Sequence, residues 1–319
     1  MLNFSRGRIV LFGEHSDWMI KYADKYSAIP RRIIGVASSI DIGMIYKVKT
    51  NNSHMVVFKT DGSKDDIQRI YYIDTNDLHE NACDKTRMIL SEAVKTAYRF
   101  IINKKDYLCN EENYQPKGVT IEVIEQQVPI CRGLASSTTL IRSVIYELLR
   151  VNDMLSSTSK SMLMMLIASV EKTVNGATGY LDTIIQETPG FRKVIYNYKS
   201  ADQLVDDNYL DVLETEPTYC YKFMKYSNIY IIDTGKKADS TLSIMEYFRS
   251  IFDNETTAYN CRNDLIELFG ETTTNFSEIA IGIMSGDSEY IKTSMDIGRL
   301  MWEFQKLYSN TILNNARHL

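Results

Sequence analysis

The residues with types and spacings suited to chemistry fall into a few short stretches. The run Pro129-Ile-Cys-Arg-Gly-Leu-Ala-Ser-Ser-Thr-Thr139 is small and rich in hydroxyls, and Leu140, Ile141, Val144, Ile145, Leu148 and Leu149 follow it at helical spacing. A turn that opens a helix presents backbone N–H groups with no intrahelical partner, together with the positive end of the macrodipole. That setting suits an anion, above all phosphate. Ser and Thr are also ordinary N-cap residues, so the run reads either as a phosphate turn or as a well-capped helix. A second stretch, Glu14-His15-Ser16-Asp17, comes directly after the apolar run Gly7 to Phe12. Polar side chains there need solvent, partners or a ligand, which leaves a binding site and a plain strand-to-loop junction both open. Glu171 and Asp182, eleven residues apart, are carboxylates that taken alone would be surface charges.

The elements that must carry these groups are visible in the periodicities. Gly7 to Phe12 is a short buried-type strand. Val119, Ile121 and Val123 alternate with polar residues, as in a half-buried strand leading into the 129–139 turn. Ile34 to Val48 alternates loosely, with Ile40, Ile42, Met44 and Tyr46 on one face. Weaker strands are expected at Met55 to Lys59 and Ile67 to Ile73, around an Asp61-Gly62 turn, and a helix at Ser91 to Ile102. Ser156 and Ser159 are helix starts before Met162 to Val174, where Met162, Met164 and Met165 read as adaptable core packing. Between Trp18 and Ile33, Lys21, Tyr22, Asp24, Lys25, Tyr26, Arg31 and Arg32 form either a wall of a substrate pocket or a solvated insertion. Later, Asn228 to Gly235 reads as a strand and 243–251, 265–269 and 278–284 as helices.

At 319 residues the chain is long enough for two domains. Its 36 basic and 41 acidic residues leave a net charge of −5, which gives no nucleic-acid footprint. No apolar run approaches the roughly 20 residues of a membrane span. No signal-type segment opens the chain, so a cytoplasmic protein is expected. The five cysteines are odd in number, scattered and without a C-x-x-C pair, which speaks for free thiols rather than disulfides or structural zinc. Neither a Walker G-x-x-x-x-G-K-[S/T] pattern nor a G-x-G-x-x-G after a strand occurs.

The 129–139 run resembles the phosphate loop of the GHMP small-molecule kinases (galactokinase, homoserine kinase, mevalonate kinase, phosphomevalonate kinase), Pro-x-x-x-Gly-Leu-Gly-Ser-Ser-Ala-Ala. Pro129, Gly133, Leu134, Ser136 and Ser137 match. Ala135 stands in place of a Gly, and Thr138 and Thr139 in place of Ala. Gly13-Glu14-His15-Ser16-Asp17-Trp18 is similar to the galactokinase signature Gly-Glu-His-Thr-Asp-Tyr. The resemblance implies sugar contacts from Glu14, His15 and Asp17 and electrostatic stabilisation from Arg8. It also implies a nucleotide loop of Arg132, Gly133, Leu134, Ala135, Ser136, Ser137 and Thr138, and magnesium held by Ser137 and Glu171. Asp182, in Gly179-Tyr-Leu-Asp182, falls where the family places the carboxylate that faces the phosphate acceptor.

The fold so implied is α+β, the two-domain GHMP kinase fold. It would have an N-terminal ribosomal-protein-S5-like domain (residues 1–195) and a ferredoxin-like C-terminal domain (196–319). The family's third motif is expected a few dozen residues after Ile297 to Met301, and the chain reaches Leu319 without it. On that reading the sequence is either truncated or has lost the loop. The implied function is ATP- and Mg2+-dependent phosphorylation of a small-molecule hydroxyl, most like a galactokinase-type sugar kinase. Nucleic acid and membrane are not expected as partners, and the oligomeric state is open. The alternatives are a catalytically inactive sugar or nucleotide sensor, which Ala135, Thr138 and Thr139 favour, and a mevalonate-type isoprenoid kinase.

Overall fold

The computed structural model describes residues 2–13, 19–51, 53, 55–60, 69–74, 84–109, 114–128, 134–175, 181–187, 190–198, 210–217, 252, 266–268 and 270–271. In chain order the elements are β1 (Leu2–Phe12), β2 (Arg32–Asn51), β3 (Met55–Lys59), β4 (Ile70–Asp74), α1 (Lys85–Cys109), β5 (Gly118–Gln126), α2 (Ser136–Val151), α3 (Lys160–Asn175), α4 (Leu181–Gln186), β6 (Phe191–Tyr198) and β7 (Leu210–Pro217). The chain divides into two compact units. One comprises Met1–Ile9, Ser39–Pro189 and Lys236–Ala238; the other comprises Val10–Ser38, Gly190–Gly235 and Asp239–Leu319.

In the first unit the strand order is β4-β3-β5-β2, and β1 also pairs with β2. β3 and β5 run parallel, Val56 opposite Val119, while β3–β4 and β2–β5 are antiparallel. Alternation sends Met44, Tyr46, Val56, Phe58, Tyr71, Ile73, Val119, Ile121 and Val123 to one buried face. Onto it pack the apolar stripes of α1 (Ile89, Leu90, Ala93, Val94, Ala97, Ile101), α2 (Ile141, Val144, Ile145, Leu148, Leu149) and α3 (Leu163, Ile167, Val170, Val174). Each such Val, Leu or Ile side chain contributes about 1.5–3 kcal/mol on burial. β5 bulges where Ile45 faces Glu125 and Tyr46 faces Val123, so Ile124 has no opposite number on β2 and lies 42% exposed. Gly43 lets β1 lie close to β2, because a Cβ there would sit 2.1 Å from the Ser5 carbonyl oxygen.

The far end of α2 is held by a buried carboxylate. Glu147 is fully buried and accepts from Asn3 Nδ2 (2.9 Å) on β1, Tyr46 OH (3.3 Å) on β2 and Arg150 Nε (2.6 Å) on its own helix. Burial, and then the charge of Glu147, raises the pKa of Tyr46 well above the ordinary tyrosine value.

In the second unit residues 32–38 of β2 pair antiparallel with β6, and β6 pairs antiparallel with β7. The segment between residues 18 and 33 is tightly packed: Met19, Ile20, Tyr22, Ala23 and Ile29 are buried. Tyr22 stacks on Phe252 at 4.9 Å, and Lys25 Nζ and Tyr26 OH both donate to the Phe252 carbonyl at 2.8 Å. Gly270 makes room for this segment, since a Cβ there would fall 1.9 Å from the Ala28 carbonyl oxygen. At its exposed charged positions, Arg31 Nη2 and Tyr198 OH both donate to Asp24.

The helix expected at Ser91 to Ile102 is longer at both ends. It starts at Lys85 because Asp84 Oδ1 accepts the Thr86 N–H (2.8 Å), which satisfies an orphan donor of the first turn. β1 extends back to Leu2 because Ser5 is buried and its hydroxyl donates to the Thr139 carbonyl (3.1 Å). The methionines of α3 do not fill the core. Leu163, Ile167 and Val170 take that face and leave Met162 and Met165 37% and 51% exposed. α4, β6 and β7 are elements the periodicities did not announce. Ile266 to Leu268 is helical as expected, while the expectations at 228–235, 243–251, 278–284 and 297–301 lie outside the described residues.

Candidate functional site

The site residues that can be placed belong to the first unit and gather at the head of α2. Ala135 is its N-cap and takes the left-handed conformation, φ 59° and ψ 41°. That is the position where the resembled loop has Gly, and a Cβ there costs about 1–2 kcal/mol. Three donors converge on the Ala135 carbonyl: the Thr139 N–H (3.0 Å), Thr139 Oγ1 (2.9 Å) and Gln186 Nε2 (3.3 Å). Thr139 therefore does more than replace an alanine, since its hydroxyl also accepts from Gln186 Nε2 at 3.1 Å.

The strand β1 lies against the residue just before this cap. The Arg8 N–H donates to the Leu134 carbonyl at 3.3 Å. Gly7 makes the approach feasible: a Cβ there would meet a Val128 methyl at 2.7 Å and the Leu134 carbonyl oxygen at 3.2 Å. Arg8 is itself buried, and its Nε donates to Asp182 Oδ1 at 2.5 Å, with the Asp182 side chain 26% exposed. Asp182 lies in the first turn of α4, where a carboxylate also complements the helix dipole.

Ser136, Ser137, Thr138 and Thr139 form the first turn of α2. Thr138, fully buried, donates its hydroxyl to Glu171 of α3, a carboxylate that is itself buried. Ser136 and Ser137 are half-buried at the same helix end. The tail of α4 is fixed to α2 by Glu187, which pairs with Arg142 through both guanidinium nitrogens Nε and Nη2. Burial by itself would lower the pKa of Arg142, but the adjacent Glu187 carboxylate raises it on balance.

Arg8, Leu134, Ala135, Ser136, Ser137, Thr138, Glu171 and Asp182 are thus placed, with Arg8 joined to Asp182 and Thr138 joined to Glu171. Glu14, His15, Asp17, Arg132 and Gly133 lie outside the described residues. Sequence reasoning missed Gly7, Thr139, Arg142, Gln186 and Glu187. One usable signal was present: Gln186 follows Asp182 by four, so on any helix the two share a face.

Among the described residues no group of three or more His, Cys, Asp or Glu side chains is arranged to hold a metal ion. No helix among them is long and apolar enough to cross a membrane. Residues 93–188, which contain α2, α3, α4 and the whole Thr138–Glu171 contact, match the GHMP kinases N terminal domain. This segment is similar to the N-terminal domain of the GHMP kinases. GHMP kinases are phosphotransferases that use ATP and hydroxyl acceptors.

The α+β GHMP kinase fold is also that of several solved structures. A Streptococcus pneumoniae phosphomevalonate kinase in complex with phosphomevalonate and AMPPNP is similar at TM-score 0.55 and 16% identity, over 95% of this chain and 80% of that one. The Methanococcus jannaschii mevalonate kinase is similar at TM-score 0.52 and 16% identity, over 92% and 79%. A D-glycero-D-manno-heptose 1-phosphate kinase from Bacteroides thetaiotaomicron is similar at TM-score 0.50 and 14% identity, over 96% and 79%. At such identities the likeness is one of fold. No curated protein sequence matches the chain.

Proposed function

We propose that this chain is a GHMP kinase that transfers the γ-phosphoryl group of ATP to a hydroxyl of a small molecule, and that the acceptor is a monosaccharide. The observation that carries the transfer is the Arg8–Asp182 pair: a buried guanidinium holding a partly open carboxylate within the unit that carries the head of α2. The free N–H groups and the dipole of α2 would face phosphate. Asp182 would orient the acceptor hydroxyl and take its proton, and Arg8 would fix Asp182 and offset developing negative charge. The sugar assignment rests on the run Glu14-His15-Ser16-Asp17, whose side chains match hydroxyl recognition by hydrogen bonding.

Magnesium fits the donors at hand. A buried Glu171 carboxylate beside hydroxyl-bearing residues is an all-oxygen set of the kind this ion takes. Glu171 and Ser137 would hold it, and when bound it would neutralise phosphate charge.

A second reading, a nucleotide or sugar sensor without turnover, is favoured by one contact. Glu171 is hydrogen-bonded to Thr138, a residue that replaces Ala in the resembled loop. Turnover of ATP with Mg2+ across a panel of monosaccharides, with Asp182→Asn alongside, separates the two. The expected result is transfer to one sugar and a loss on the order of 100- to 10,000-fold in the variant with nucleotide binding retained. Full activity in Asp182→Asn would remove Asp182 from the mechanism, and binding without turnover on any acceptor would establish the sensor.

A further inference from the structure

A closed circuit of contacts runs through the first unit. From Arg8 the main-chain N–H reaches the Leu134 carbonyl; the next residue, Ala135, accepts from Gln186 Nε2 at 3.3 Å. One turn back along α4 from Gln186 stands Asp182, and its Oδ1 returns to Arg8 Nε at 2.5 Å. Gln186 is the one side chain in this circuit that ties the cap of α2 to the helix bearing Asp182. Its amide also donates to Thr139 Oγ1 at 3.1 Å, and it is 4% exposed.

Stability does not account for this side chain. Its Oε1 is buried with no hydrogen-bond partner, which is a net cost. Both acceptors of its Nε2 keep other bonds without it. The Ala135 carbonyl retains the Thr139 N–H and Oγ1, and Thr139 Oγ1 still donates to that carbonyl and lies 3.3 Å from the Arg6 carbonyl. An apolar side chain of the same length would fold at least as well. A second strut, the Arg142–Glu187 pair with side chains 15% and 10% exposed, already secures the tail of α4 to α2.

We infer that Gln186 is a positioning residue. By bonding the Ala135 carbonyl and the Thr139 hydroxyl it sets the rotation of α4, and so the direction in which Asp182 is presented beside Arg8. The inference rests on the assignment of Asp182 to the acceptor hydroxyl. A displacement of about 1 Å at a reacting group costs on the order of 100-fold in rate, so the loss falls on kcat with KM for both substrates little changed.

The test is Gln186→Met in the full-length chain, read two ways. The first is steady-state kinetics. The second needs no turnover: the Arg8 Nε–H resonance in a 1H–15N spectrum, assigned by its displacement in Asp182→Asn, reports the Arg8–Asp182 bond directly. Expected are an unchanged or slightly raised melting temperature, a kcat lower by roughly 10- to 100-fold and a displaced or broadened Arg8 Nε–H signal. A variant with wild-type kcat and an unmoved Arg8 signal overturns the inference, as does a melting temperature that falls in proportion to the kinetic loss. If the wild-type chain phosphorylates nothing, the functional reading fails, while the Arg8 signal still decides whether Gln186 positions Asp182.

Discussion

Ala135 offers the sharpest test of the loop geometry, because the sign of a single substitution depends on its backbone conformation. With φ at 59° its Cβ costs about 1–2 kcal/mol. Glycine removes that cost but adds about 0.5–1 kcal/mol of chain entropy in the unfolded state. Ala135→Gly is therefore expected to be stabilised by about 0.5–1 kcal/mol. The hydrogen bonds are unaffected, since all three donors meet a main-chain carbonyl. Ala135→Val should lose about 2 kcal/mol or more, as β-branched residues are outliers at positive φ. If Ala135 had ordinary helical geometry the order would reverse, with glycine about 1 kcal/mol worse than alanine. Urea unfolding of the three chains followed by circular dichroism gives the differences from the midpoints. A glycine variant destabilised by about 1 kcal/mol would refute the left-handed cap and, with it, the account of why Thr139 and Gln186 converge there.

Two other substitutions test the framework. Gly43→Ala drives a methyl into the Ser5 carbonyl oxygen and should cost about 3 kcal/mol, whereas Gly190→Ala, with nothing within 4 Å and φ +79°, should cost only about 1 kcal/mol; thermal melts of the pair measure the contrast. Tyr46→Phe should lose about 1 kcal/mol near neutral pH, the value of its bond to Glu147. The phenol's pKa is raised in the folded chain, so the folded state keeps a proton that the unfolded state releases above its ordinary 10.0, and wild-type stability falls as pH rises past that point. The variant lacks this loss, so the gap should close near roughly pH 11, which urea midpoints across pH 8–11.5 would reveal.

What could be read in the chain beforehand was what depends on neighbours in sequence. The stripe Ile141, Val144, Ile145, Leu148 and Leu149 required α2, and the alternation Val119, Ile121, Val123 required β5, and both are present. Arg8 and Asp182 came forward through motif likeness, and the structure places them in contact. What escaped depends on partners far along the chain. Gln186 reaches acceptors 47 and 51 positions away. Glu147 is fully buried, met by Asn3 and Tyr46 from 144 and 101 positions away. Nor does anything local to Gly7 say that the carbonyl of Leu134 would lie against it.

The Arg8–Asp182 bond spans 174 positions of sequence, and that separation bears on the order in which the molecule is made. Closing a flexible loop of that length costs about 3 kcal/mol more than closing the four-residue turn from Ala135 to Thr139. On a ribosome Arg8 emerges well before Asp182 and waits, its guanidinium solvated, until α4 has been synthesised. The first unit's helices and strands can collapse around their local contacts before then. The carboxylate proposed to meet the acceptor is thus seated late in this unit, 174 residues of synthesis after the arginine that holds it.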